Sequence, residues 1–402
     1  MREIPGVWRR AAAGAGLLAP DGTVASTIFA EMSALAARTG AINLGQGFPD
    51  EDGPAEVVEA ARAAISAGVN QYPPGRGMPV LRAAIADHQR RFYGMNLDPD
   101  RDVLVTAGAT EALAATILAL VEGPGDEVVV FEPYYDAYAA LVALAGATLV
   151  PVPLAWPDFQ PDLDALARAV TDRTRLILVN DPHNPTGAVF SAEVRAEIVR
   201  LAHLHDAVIV TDEVYEHLVF DGPHVPIAAL AGAAERTVSI SSAGKTFSTT
   251  GWKIGWITAP PAFVTAILAV KQFLTYVGGA PFQPAIAVGL ALPDAFFTAV
   301  AATLRAKQDQ LGAGLRAAGF AVSPPAGSYF TVADAAPFLG PDEDAADFCR
   351  ALPERAGVVA IPLTAFVGSS RVEGYRTLVR FAACKKPAVI AEASARLAAL
   401  AD

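Results

Sequence analysis

Apolar positions recur along the chain with two periods. Spacings of three to four mark Thr27–Arg38, Ala55–Ala67 (stopped by Gly68) and Leu81–Phe92 as helices. From Val103 onward, short continuous apolar runs alternate with further helical stretches. Val103–Thr106, Glu127–Phe131, Thr148–Val152, Arg175–Asn180, Ala207–Thr211, Val238–Ser241 and Ile254–Thr258 read as strands. Leu113–Val121, Tyr135–Ala145, Asp162–Val170, Ala192–His205 and Phe263–Phe273 read as helices. Continuous apolar strands are buried on both faces, so the pattern predicts an α/β fold with a mostly parallel sheet between helices.

Beyond the long helical stretch Asp294–Ala318 the order changes. Strands are expected at Ala321–Val322, Tyr329–Ala333, Val358–Ile361 and Thr377–Phe381, with helices at Ala345–Leu352 and Ala388–Leu400. That succession suggests a smaller α+β domain. The expected division is an N-terminal arm and small-domain segment over 1–45, a large domain over 46–293 and a C-terminal small domain over 294–402. Residues 1–25 show no clear period and read as a flexible arm.

The 402 residues exceed what one ordinary core fills, and 53% apolar with 18% charged residues is a globular composition. A net charge of −12 with no Lys/Arg run argues against nucleic acid or an anionic membrane surface as partner. The near-uncharged runs 137–157, 254–270 and 272–293 are broken by Gly and Pro, so buried core is expected there and no membrane span. Arg9-Arg10 before Ala11–Pro20 superficially resembles a twin-arginine export signal, but the run is short and rich in Ala and Gly. With two cysteines, Cys349 and Cys384, a reducing cytoplasm is the expected compartment.

Special residues collect at the carboxyl ends of the expected strands, where α/β sheets bind ligands. Gly108-Ala-Thr110 opens a helix and suits a phosphate. Asp181-Pro-His-Asn-Pro-Thr-Gly187 brackets Asn184 between prolines. Asp212 ends a strand that should be buried, where a carboxylate needs a cation or donor. Lys245 follows Ser241-Ser-Ala-Gly among small residues, so a flat aldehyde-bearing group can approach its amine and form a Schiff base. No metal site is indicated.

Jointly, His183-Asn-Pro-Thr-Gly187, Thr211-Asp-Glu-Val-Tyr215, Ser241-Ser-Ala-Gly-Lys245 and Gly251-Trp-Lys-Ile-Gly-Trp256 resemble the fold-type I pyridoxal-phosphate enzymes of the class I/II aminotransferase group. The resemblance runs from about Asn43 to Lys386. Asn43-Leu-Gly-Gln-Gly-Phe-Pro-Asp50 and Val379-Arg-Phe-Ala-Ala-Cys-Lys385 are similar to the kynurenine/glutamine transaminase branch. Val69-Asn-Gln-Tyr-Pro-Pro-Gly75, Glu213-Val-Tyr-Glu-His-Leu-Val-Phe-Asp221 and Tyr276-Val-Gly-Gly-Ala-Pro-Phe-Gln-Pro284 resemble bacterial N-succinyldiaminopimelate aminotransferases.

The resemblance implies pyridoxal 5′-phosphate in the large domain, held by Lys245, with Asp212 on the ring nitrogen and Asn184 and Tyr215 on the ring's phenolic oxygen. Tyr135 would stack on the ring, with Tyr134 a weaker candidate. Gly108, Ala109, Thr110, Ser242 and Lys253 would bind the phosphate. Arg380 would grip the substrate α-carboxylate, with Asn184 and Gly47 closing over it. The family implies a homodimer in which Tyr72 reaches the partner's phosphate and Tyr276 lines the partner's pocket. Arg76 is a candidate second cation for an acidic side chain.

The expected reaction moves an amino group from N-succinyl-LL-diaminopimelate to 2-oxoglutarate or another keto acid. The alternatives are a kynurenine-, glutamine- or methionine-type aminotransferase, or a cysteine-conjugate β-lyase sharing the same lysine. Thr110 stands where aromatic-preferring relatives carry tyrosine, which loosens the case for kynurenine. A ligand-sensing module fused to a DNA-binding domain has little support, since no basic winged-helix segment precedes residue 40.

Overall fold

Seven strands share the central sheet of the computed structural model, which describes residue 4 and residues 6–401. Their order across the sheet is Val103–Thr106, Gly255–Thr258, Thr237–Ser242, Val208–Asp212, Thr174–Asn180, Glu127–Glu132 and Thr148–Pro153. Every pairing is parallel except the two made by Gly255–Thr258, which runs antiparallel to both neighbours. Val103–Thr106 and Glu127–Glu132 are buried at every residue, which is why their sequences lack alternation. Large apolar clusters cover both faces, one containing Val129, Ile177 and Ile209, the other Val128, Leu176 and Val210. Consecutive strand residues therefore feed opposite cores.

A second, four-stranded antiparallel sheet places Ile361–Pro362, Leu378–Ala382, Phe330–Asp334 and Ala321–Val322 side by side. The single strand expected over Val358–Ile361 is in fact two. Val358–Val359 pairs with Ile42–Asn43 in a small parallel sheet, and after Ala360 the chain joins the antiparallel sheet. The break lies where the chain exchanges a parallel partner for an antiparallel one. The arm also departs from expectation. Trp8–Gly14 is a helix, packed so closely on Ala137–Ala145 that a Cβ on Gly14 would sit 2.6 Å from the Ala139 carbonyl oxygen. Leu18 and Val24 then form a β-bridge. Residues 1–3 and 5 of the arm lie outside the described residues.

Segment 44–51 is held residue by residue by side chains and amides from distant parts of the chain. Leu44 donates to Val359 O at 2.9 Å and accepts from Ala382 N at 2.7 Å. Lys385 Nζ reaches Phe48 O at 2.8 Å, Lys386 N reaches Asp50 Oδ1 at 2.7 Å, and buried Lys307 pairs with Glu51 at 2.5 Å. Run 272–293 contains a turn and the helix Phe282–Leu290, which the sequence pattern did not delimit. Among the described residues no single helix is long and apolar enough to cross a membrane.

Helix Ala345–Ala356, which packs on Ile28–Thr39, begins with a reciprocal capping box. Asp344 Oδ1 accepts from Ala346 N and Asp347 N at 2.8 and 3.0 Å, and Asp347 answers to Asp344 N at 3.3 Å. Asp344→Ala is expected to cost about 1 kcal/mol of stability. Urea unfolding checks this: the midpoint should fall while the slope stays constant.

Candidate active site

The parallel strands end at one rim of the central sheet, and the residues that end or follow them line one cavity of about 200 Å³. Gly108, Ala109 and Thr110 come after the first strand, Asp212 and Ser242 terminate theirs, and Lys245 lies in the short helix Ala243–Thr246. Tyr135, Asn184, Tyr215 and Lys253 also line the cavity. A second cavity, about 310 Å³, shares Tyr135, Asn184, Tyr215 and Lys245 with the first and adds Gly47 and Arg380. Neither lining includes Tyr72 or Tyr276. These rings are 81% and 47% exposed and meet edge to face at 5.7 Å on the surface. Arg76 is turned aside as well, its Nη1 donating to Arg101 O at 3.3 Å.

The first turn of helix Gly108–Leu120 meets the cavity, where backbone N–H groups have no helical acceptor. Gly108 takes φ +74°, the left-handed region that suits glycine. Gly255 lets the antiparallel strand press on this turn, since a Cβ there would lie 2.6 Å from Gly108 C and 2.8 Å from Ala109 N. Lys253, itself at φ +55°, brings its Nζ to within 3.1 Å of where a Gly108 Cβ would stand. Both lysines of the stretch 241–256 therefore border the same space.

Asp212 is 5% exposed. Its Oδ2 accepts from the Tyr138 hydroxyl at 2.6 Å, while Oδ1 has no hydrogen-bond partner in the fold. Burial pushes its carboxyl up to about 6, against the opposing pull of the Tyr138 hydrogen bond, the nearby Val214 amide, which approaches the carboxylate without meeting strict hydrogen-bond geometry, and the Lys245 charge. Asn180 fastens this strand end to the next loop: its Nδ2 donates to Asp212 O at 2.7 Å and its Oδ1 accepts from Asn184 N at 2.6 Å.

Lys245 Nζ donates to Gly47 O at 2.9 Å, and the Tyr329 hydroxyl donates to Lys245 O at 2.6 Å. Burial lowers the amine to about 8, nearer to neutrality than a free lysine. Arg380 is 2% exposed and lies between the rings of Phe330 and Phe366, 4.2 and 4.6 Å from their centroids. Its Nη1 donates to Asn184 Oδ1 at 3.0 Å and its Nη2 to Gly45 O at 2.5 Å, while Nε is unpaired. Burial draws the guanidinium down to about 10, which leaves it cationic at neutral pH.

Tyr135 faces the cavities, whereas Tyr134 turns into the core and its amide bonds Phe366 O at 2.9 Å. Sequence reasoning missed Tyr138, Asn180, Tyr329 and Phe330. Asn180 was detectable as a polar residue closing an apolar strand. Tyr138 lies three residues after Tyr135 at helical spacing, yet only the fold shows that it meets Asp212. Behind this rim sits a buried polar group of His88, Glu216 and His217. The two Nε2 atoms are 2.6 Å apart, a hydrogen-bond separation, whereas two nitrogens on a tetrahedral zinc would be about 3.3 Å apart. Burial holds both rings neutral, so one donates to the other.

The family model for aminotransferase class I and II matches residues 39–397. A protein of Mycobacterium tuberculosis described as a probable N-succinyldiaminopimelate aminotransferase is 54% identical over 388 residues, covering 94% of this chain and 97% of that protein. The solved structure of the N-succinyldiaminopimelate aminotransferase from that organism superposes with a TM-score of 0.89, covering 94% of this chain and 97% of the other. Methionine aminotransferase of Escherichia coli is 39% identical, covering 92% of this chain and 95% of its own.

The buried Asp212 carboxyl has a measurable consequence without any ligand. Between its ordinary 3.8 and about 6, the folded chain keeps a proton on Asp212 that the unfolded chain has released. Its contribution to stability therefore falls as pH rises through that window. The cofactor-free Asp212→Asn protein should gain stability relative to its parent between about pH 4 and pH 7. Urea midpoints of the two proteins measure the difference. A flat difference would mean that the carboxylate finds its own compensation in the fold.

Proposed function

Because the chain belongs to the class I and II aminotransferase family, we propose that it is a pyridoxal-phosphate-dependent aminotransferase moving the amino group of N-succinyl-LL-diaminopimelate to 2-oxoglutarate. The observation that carries the cofactor assignment is the unpaired Oδ1 of buried Asp212 beside a lysine amine and a helix N-terminus. The relative at 54% identity supports the substrate.

The residues present fit that cofactor. A buried carboxylate oxygen without a donor suits a protonated ring nitrogen, and the crowded Gly108–Gly255 contact leaves backbone amides clear for a phosphate. When bound, pyridoxal phosphate supplies an aldehyde for amine capture and a ring that withdraws electrons from the substrate Cα. Asp212 Oδ1 would accept from the ring nitrogen and keep its proton in place. The amides of Gly108, Ala109 and Thr110, with Ser242 and Lys253, hold the phosphate. Asn184 and Tyr215 serve the phenolic oxygen, and Tyr135 packs on the ring face.

Lys245 Nζ would hold the cofactor and would be the base placed to take the substrate Cα proton. Its depressed pKa suits both roles. Arg380 presents an always-charged fork to the α-carboxylate, already aimed by Asn184 and Gly45. Gly47 closes that end, with its backbone set by segment 44–51. Exposed Tyr72 and Tyr276 support a homodimer in which each completes the other subunit's site, and Arg76 beside Tyr72 is the cation offered to a distal carboxylate. We divide the chain into residues 1–45 with 294–402 around a cofactor-binding body of 46–293, and place it in the cytoplasm, where its two buried thiols stay reduced.

A donor panel with 2-oxoglutarate tests the substrate. N-Succinyl-LL-diaminopimelate should exceed methionine, kynurenine, glutamine and aspartate in kcat/KM by about tenfold or more. A preference for methionine or kynurenine would overturn the substrate. Pyruvate and ammonia from a cysteine conjugate, without amino transfer, would overturn the reaction. Lys245→Ala should lose both amino transfer and the visible absorption that the parent acquires with the cofactor. Sedimentation of an active monomer would sink the shared-site dimer.

A further inference from the structure

Lys271, which ends helix Pro261–Lys271, is 2% exposed and plays no part in the chemistry above. A buried ammonium is costly unless its donors are met. Its Nζ donates to Gly75 O at 3.0 Å and to Tyr276 O at 2.5 Å, so it ties two separate loops together. Those loops carry the two exposed tyrosines, Tyr72 and Tyr276.

Glu111 extends this contact to the cofactor side. It lies in the first turn of helix Gly108–Leu120, where its Oε2 accepts from Ala107 N at 2.6 Å, one residue before the proposed phosphate turn. Its Oε1 accepts from Thr275 N at 3.2 Å and from the Thr275 hydroxyl. Thr275 immediately precedes Tyr276. Gln283, 1% exposed, adds a third tie: Oε1 accepts from Met78 N at 2.7 Å and Nε2 donates to Gly278 O at 2.8 Å. Three buried polar side chains thus grip backbone atoms on both sides of two exposed rings that line neither of the two cavities.

We infer that Lys271 and Glu111 are positioning residues acting across the dimer: Glu111 anchors the tyrosine loops to its own subunit's phosphate turn, and Lys271 fixes Tyr72 and Tyr276 for the neighbouring subunit's pocket. This rests on the shared-site reading above. The turn that would hold the phosphate of one site is thereby joined, through the side chains of Glu111 and Lys271, to the loops that would complete the other. The link is two hydrogen bonds long on each side.

Lys271→Met keeps the chain length and removes the donor. The variant should remain dimeric in sedimentation, and its dissociation constant for pyridoxal phosphate, read by equilibrium dialysis, should rise about tenfold. Lys271→Arg should recover part of that loss. A lower unfolding midpoint with unchanged affinity would overturn the proposal by showing a merely structural lysine.

A mixed dimer shows where the lysine acts. One subunit carries Lys245→Ala and the other Lys271→Met, each with its own tag so that only the pair is purified. Its one lysine-bearing site receives intact loops from the neighbour, so it should show about half the parent's activity per dimer. Activity no better than one site of the Lys271→Met homodimer would overturn action across the interface. If Lys271→Met does not fold, Thr275→Val replaces it in both measurements, with the same direction required. A parent enzyme that is active as a monomer would instead overturn the shared-site reading itself.

Discussion

A carboxylate placed where water cannot reach it governs the rim of the central sheet. Asp212 has one oxygen answered by Tyr138 and the other unanswered, and a buried charge in that state favours its neutral form. A cation of fixed position reverses that preference. The neighbouring groups are arranged to supply everything else such a ligand needs. A helix start faces its anionic end, a lysine amine lies beside it, and an arginine waits in the adjoining cavity. Each of these is tolerable alone in a folded chain, and together they leave unsatisfied polarity on three sides of one space.

The rim is rigid because its polar atoms are cross-linked by short bonds that follow no strand ladder. Asn180 joins the end of one strand to the loop holding Asn184, and Asn184 in turn aims Arg380, which belongs to a different sheet. Arg380 then reaches Gly45, in the segment whose next glycine accepts from Lys245. The series of bonds ends on Lys245. Four chain segments distant in sequence are set by one another, so a shift in any of them is felt at the lysine.

The periodic parts of the fold were legible in the sequence because burial on both faces leaves no alternative reading of runs such as Arg175–Asn180. The strand-end chemistry was legible too, since Asp212, Asn184 and Lys245 each sit just past an apolar run. What escaped notice depends on tertiary contact. Trp8–Gly14 has too few turns to show a period, and its helix exists against Ala137–Ala145. The break at Ala360 reflects two competing partners, which no local pattern encodes. Tyr138 looked like core, and it is core, except for one oxygen atom at its tip. Nothing local marks Glu111 or Lys271, because the contacts that matter, to Thr275 and to Gly75, lie far along the chain.

The antiparallel strand Gly255–Thr258 has a further consequence. Inserted between two strands that run the other way, it starts at the rim where Thr237–Ser242 ends and carries the chain away from it, so residues 243–254 leave and rejoin the sheet at the same rim, beside the cavity. The two lysines that line the first cavity therefore come from one short loop, while Arg380 of the second cavity enters from the second sheet and Gly47 from the segment 44–51. Such a division separates what must be inherited unchanged from what is open to drift. A lineage built on this scaffold is free to exchange one amino donor for another by altering its periphery, with the reacting centre carried along intact.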